Sequence, residues 1–340
     1  MAYTTINKST DYFNTNLIPS ASEITAVGHQ ADMIWLKSRT AAHSHELIDT
    51  VRGISKKLKT DATSAESTDA NIITAIGSDS YTVGSSSNSI YGGNNGVGWS
   101  WKANGTGSAN TDGSINSTVS ANTTSGFSIM TYTGNGSAGA TIGHGLGAVP
   151  KMLIVKQLDI ANNWKVYHVS MGNNNIMNLN DNSAQAGNTA FWNDTTPTST
   201  LITLGTNGAI NGSGATYVMY AFAEKPGYSK FGSYTGNGNI DGPFAYTGFK
   251  PNFIMLKNTV DSGDNWTIYD SSRDPNNKSE NLLFANSNST EADGNFMDIL
   301  SNGFKQRNTS NGNNGNGDKL IYMAFGQSIV GSNNVPATAK

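Results

Sequence analysis

One pattern occurs three times in this chain, and it leaves few architectures open. A glycine, three variable residues, a polar position and an apolar run ending in lysine span Gly28–Lys37, Gly147–Lys156 and Gly248–Lys257, with the same spacing each time. Upstream of the second and third copies stands one shared pentapeptide, Tyr132–Gly136 and Tyr234–Gly238; the first copy keeps only the aromatics Tyr12 and Phe13. Downstream come His45–Asp49, Trp164–His168 and Trp266–Asp270, then the aromatic stretches Val97–Trp101, Tyr217–Phe222 and Leu320–Phe325. Four landmarks in a fixed order, repeated, predict three homologous units of roughly 100 residues, a normal domain size. The boundaries expected from composition are 1–115 for unit one with a linker, 116–227 for unit two, and 228–340 for unit three with a C-terminal tail. The Gly/Ser/Thr/Asn-rich stretch Ala103–Ser125 is read as the linker or a long surface loop.

Within each unit the pattern is β. Runs such as Met152–Val155 and Phe253–Leu256 are short, apolar and bounded by Gly or Pro, as buried strands are. Asn-Gly and Asp-Gly pairs at Asn135, Asn207, Asn211, Asn237, Asp241 and Asn302 are expected hairpin turns, because they tolerate positive φ. Leu47, Val51, Ile54 and Leu58 have helical spacing, but their alignment with strand-like segments elsewhere argues against a long helix. The predicted fold class is all-β: three tandem antiparallel β-sandwich or jelly-roll-like units.

Composition narrows the function. Charged residues are 13% of the chain and the formal charge is -3, which argues against a basic nucleic-acid binder and a highly charged disordered chain. With no cysteine there are no disulfides, thiolate metal sites or Cys nucleophiles. The first residues have no basic and apolar leader pattern, and no apolar run approaches the ~18 residues of a membrane span. A surface of amides and hydroxyls on a leaderless chain suits a virus particle component released by lysis.

The stretches Met1–Thr15, Trp35–Arg39, Asp49–Gly53, Ser233–Gly238, Asn265–Asp270, Leu300–Phe304 and Asn333–Lys340 together resemble a tandem-repeat family in structural proteins of marine tailed bacteriophages, including phages of cyanobacteria. The resemblance covers nearly the whole chain. It implies a non-enzymatic virion surface protein with a lectin-like sandwich. Such a protein is a tail-fibre-like adhesin or structural component that contacts host surface glycans. The alternative is a capsid decoration or cement protein that binds other virion proteins. Implied partners are virion structural proteins and further copies of the chain, a trimer being favoured; nucleic acid and membrane insertion are not expected. The family supplies no catalytic or ligand residues to carry over.

Candidate residues come from chemistry. Trp192 and the Asn-rich loop Ser310–Asp318, with Asn313 and Asn314, are candidates for sugar stacking and hydrogen bonding. The turn with Asp261 and Asp264 could supply oxygens to Ca²⁺, the one cofactor left open, although it lacks the bidentate Glu of an EF-hand. His43 and His45 alternate as a metal pair would but lack a third ligand. Asp49/Arg52 recurs as Asp270/Arg273, with His168 and Met171 in the second unit, and is expected to be a structural ion pair rather than a ligand dyad. The aromatics Trp99, Trp101, Tyr220, Phe222, Tyr322 and Phe325 are expected to be core rather than a sugar platform. Glycosidase chemistry needs paired carboxylates. Glu291 and Asp293 begin such a motif, but Phe296 stands where the last acid belongs, so no enzyme activity is expected.

Overall fold

A computed structural model describes residues 4–87, 95–328 and 330, so the closing Asn333–Lys340 stretch lies outside the described residues. The chain is all-β, with antiparallel pairings throughout its named strands and only a few single-turn helices among the described residues. Three four-strand arrays share one order. In the first, Phe13–Ile18, Gly96–Trp101, Met33–Ser38 and Glu46–Asp49 lie side by side. The second runs Phe127–Thr133, Thr216–Ala223, Pro150–Gln157, Lys165–His168, and the third Ser229–Thr235, Lys319–Ser328, Phe249–Asn258, Thr267–Asp270. Lys37, Lys156 and Lys257 occupy the same register, opposite Val97, Val218 and Ile321. The register slips at Pro150/Met152 and again at Pro251/Phe253. Proline cannot donate to the ladder and is confined to such irregular positions.

The apolar runs are continuous because these central strands are buried on both faces. Side chains alternate along a strand. Ile34, Leu36 and Ile48 therefore face one core with Ile72, Tyr81 and Val83. Leu153, Val155 and Tyr167 face a second with Ile142 and Leu204, and Ile254, Leu256 and Tyr269 a third with Ile299 and Phe304. The intervening residues Met33, Trp35, Met152, Ile154, Phe253 and Met255 enter a fourth cluster fed by all three arrays. That shared core is aromatic: Phe253 packs on Phe13, Trp99 and Trp101 at centroid distances of 5.6, 5.8 and 5.7 Å. Trp99, Trp101, Tyr220, Phe222 and Phe325 of the closing strands are buried in this cluster, while Tyr322 turns to the third core and Tyr217 to the second.

Two local expectations need correction. Part of the supposed linker is strand: Ser108–Asn110 and Ser117–Asn122 extend the second sheet beyond Phe127–Thr133. A Ser/Thr-rich sequence without Pro is compatible with a strand near a solvated edge, where few apolar side chains are needed. The Asn-Gly pairs are mostly not hairpin tips. Asn211 and Asn314 are fully buried brackets whose amides accept from the backbone of Asn135 and Asn237. They donate to Gly205 and Ser137, and to Asn308 and Asn239. The repeated pentapeptide exists to meet them. A Cβ on Gly134 would lie 2.5 Å from the Gly212 oxygen, and one on Gly236 2.2 Å from that of Gly315. Gly236→Ala is expected to cost about 1–3 kcal/mol in urea unfolding; an unchanged midpoint would remove this explanation of the motif. The segment with helical spacing is strand and turn, with Leu47 and Leu58 bridged antiparallel.

Candidate binding site

The three arrays meet at three junctions, and the same landmark positions make the bonds at each. Trp164 donates its indole N–H to the Lys59 carbonyl, Trp266 to Asn178, and at the corresponding position His45 Nε2 meets Phe284, at 2.8, 2.8 and 2.9 Å. A second set links the ends of the adjacent strands. Tyr220 donates to Asp49 at 2.7 Å, Trp99 to Asp270 at 3.0 Å, and His168 Nε2 contacts the Tyr322 carbonyl at 3.1 Å. A third set is backbone: Glu66, Gln185 and Glu291 donate to Leu158, Thr259 and Arg39. Each acceptor stands two residues beyond the repeated lysine. The bonds join first segment to second, second to third and third to first, so the chain closes on itself.

Charge is buried along these seams. Arg52 Nε lies 2.6 Å from Asp49 and Arg273 Nε 2.6 Å from Asp270, with side chains at most 2% exposed. These are structural ion pairs, as expected, and they are set in the interior. Glu66 and Glu291 accept second bonds from the same arginines at 3.1 and 3.0 Å. Glu291 is therefore committed to Arg273 and Arg39. The lysines Lys37, Lys156 and Lys257 are buried, each donating to the carbonyl of the residue that follows it, and burial pushes each down to about 8.

Of the predicted ligand residues, Trp192, Asn313 and Asn314 are buried, while Asp261 and Asp264 are half-buried. Trp192 closes a single-turn helix and is 1% exposed, edge-on to Tyr167 at 5.7 Å. Its apolar bulk outweighs the loop-like composition around it. Asn313 is spent on Tyr269 and Thr267, and Asn314 on the brackets above. Asp264 accepts from Asn258 at 3.0 Å, and it lies, with Asp261 and Asp181, close enough to counter the charge of buried Lys257. His45 is likewise spent, accepting from the Trp35 indole at 2.8 Å, and His43 stands half-buried apart from it.

Solvent reaches a groove of about 570 Å³ at the junction of the first and second segments. Its floor holds Arg52 and Glu66; its wall carries Ser117, Thr118, Thr131 and Thr216. The strand Ser117–Asn122 builds the wall, and neither other array has a strand at that edge among the described residues. Leu158 opens the groove. At the matching place in the third junction, Arg39 lies across Glu291 at 2.6 Å instead. Sequence reading missed this groove because its residues come from distant stretches. The one signal was the exchange of Arg39 for Leu158 after the repeated lysine.

No curated protein and no solved structure matches the chain. A family model does: Domain of unknown function (DUF7483), over residues 8–328. That span takes in all three arrays and every seam between them, so the chain belongs to the DUF7483 family.

Proposed function

We propose that this is a non-enzymatic surface protein of a tailed-phage virion, built from three copies of one unit, that acts as a tail-fibre-like adhesin on host glycans. The observation that carries the reading is the open groove whose wall carries threonine hydroxyls. The resemblance of the repeated stretches to marine phage structural proteins supports it. The scaffold buries Trp99, Trp101, Phe222, Phe253 and Phe325 in a common core rather than presenting them as a sugar platform. Further copies of the chain, as a trimer, and other virion proteins complete the expected assembly, which light scattering of the purified chain checks.

Labelling the chain in intact particles tests the reading. Density or immunogold at the tail or fibre is expected; its absence from the particle would sink the proposal. Neutral hydrogen bonds contribute only about 0.5–1.5 kcal/mol each, so strong attachment must come from several copies acting together. Unlike contacts between separated exposed charges, they are little screened by salt. Adsorption is therefore expected to change little between low and seawater-strength NaCl, and a steep loss would point to charge steering.

A second reading, capsid decoration, is favoured by one feature. Ile240, Phe244 and Tyr246 are 68%, 44% and 56% exposed on the third segment, a concentration of apolar surface suited to a protein contact. Label on the capsid lattice would decide for it.

A further inference from the structure

We propose that the groove between the first and second segments is a binding site for a neutral oligosaccharide, with Glu66 as the acceptor that fixes its orientation. The inference rests on the adhesin reading and gives it a location. The groove is walled by hydroxyl side chains on Thr118, Thr131 and Thr216, which can both donate to and accept from sugar hydroxyls. Thr118 and Thr131 stand opposite each other in register, so their side chains share one face of the sheet.

Glu66 supplies the directional contact. Arg52 holds one oxygen at 3.1 Å, and the other sits 3.6 Å from Lys56, so the carboxylate is fixed in place while 18% of its side chain stays exposed. A fixed carboxylate has further lone pairs for adjacent hydroxyls. Arg52 is spent on Asp49, Glu66 and the Leu47 carbonyl, which leaves it poorly placed to attract an anion. The lining is mixed, with Val51, Leu158, Tyr132 and Tyr217 beside the threonines, as suits a sugar with polar edges and apolar faces. The third junction is the internal contrast: there Arg39 occupies the free side of Glu291. Of these two junctions, the first alone leaves its carboxylate a free side.

The test uses the full chain and short neutral oligosaccharides built on glucose, galactose and N-acetylglucosamine, read by saturation-transfer NMR and titration calorimetry. Thr216 is exposed at the rim, so Thr216→Lys fills the groove without touching the core. Glu66→Gln removes the carboxylate. Both are expected to weaken binding at least about tenfold. Tyr246→Ala, on the exposed patch of the third segment, is expected to bind as the natural chain does. If Thr216→Lys keeps its thermal midpoint and still binds fully, the groove is overturned while the adhesin reading stands. If Tyr246→Ala alone abolishes binding, the site lies on the third segment and the groove is again overturned. If the natural chain binds none of the probes, both the groove and the glycan reading fall.

Discussion

Replacing Arg273 by Met will destabilise the chain by about 3–5 kcal/mol, the usual result of stranding one member of a buried ion pair. Asp270 loses its 2.6 Å partner while Trp99 and the backbone N–H groups of Ser272 and Arg273 still point at it. The middle segment shows how the same position is satisfied without charge. His168 and Met171 stand where Asp270 and Arg273 do, and the imidazole contacts a neighbouring carbonyl instead. The paired change Asp270→His with Arg273→Met is therefore expected to recover about half the loss or more, since a neutral packed pair is often no worse than a buried ionic one. Urea unfolding of both single variants and the double variant forms the cycle. A double variant as poor as the sum of the singles would show that the two solutions are not interchangeable.

The second large effect is acid sensitivity. Trp35 donates to His45 Nδ1, so Nε2–H donates to Phe284; Ser170 N–H donates to His168 Nδ1, so Nε2–H donates to Tyr322. Each ring nitrogen is thereby assigned, and the neutral form is the one that fits. Burial pushes His45 down to about 3, with nearby Lys37 adding to it, and His168 down to about 4. These groups take up protons in the unfolded chain near 6.5 but not in the folded one. Their contribution is complete above that pH and is lost as pH falls toward 4. Each unit of separation is worth about 1.4 kcal/mol, so down to pH 4 the two together remove on the order of 7 kcal/mol. That is comparable to the whole stability of many domains. Unfolding free energy measured from pH 7 to 4 should fall steeply, and His168→Gln should flatten the slope. An equal slope in that variant would exclude His168 as a cause. The alkaline side runs the other way. The three buried lysines are lowered to about 8, so stability rises as pH climbs from there toward 10. Beyond 10 the buried tyrosines Tyr132, Tyr220 and Tyr234, held protonated by burial, reverse the gain.

Much of the β character was legible because it rests on short-range chemistry. Apolar runs bounded by Gly and Pro marked the central strands, and the shared Gly-to-Lys spacing placed three lysines in one register. The role of the aromatic strands as core was also legible from their alternation. What composition could not give was which polar residues are buried. Asn313 and Asn314 look like an exposed loop in sequence, yet Asn314 serves the backbone of a stretch some 75 residues away. Trp192 looked exposed because its neighbours are Asn and Asp, although the apolar area of its own ring drives it inside. The groove was invisible for a related reason. It is made where Glu66 meets Leu158 and Ser117, and no local pattern encodes that meeting.

The closure of the chain on itself sets an order of events during synthesis. The first segment's partners at one seam are Phe284, Asn288 and Glu291, so His45, Lys37 and Arg39 wait for residues made some 240 or more positions later. Until the ribosome has delivered the third segment, Trp99 and Trp101 lack Phe253 and Phe325, and one face of the first sheet stays apolar and open to water. Long-range pairing of this kind is slow and leaves the nascent chain prone to association. A fragment ending before the third segment should therefore be insoluble rather than merely smaller, and the chain behaves in biogenesis as one indivisible piece.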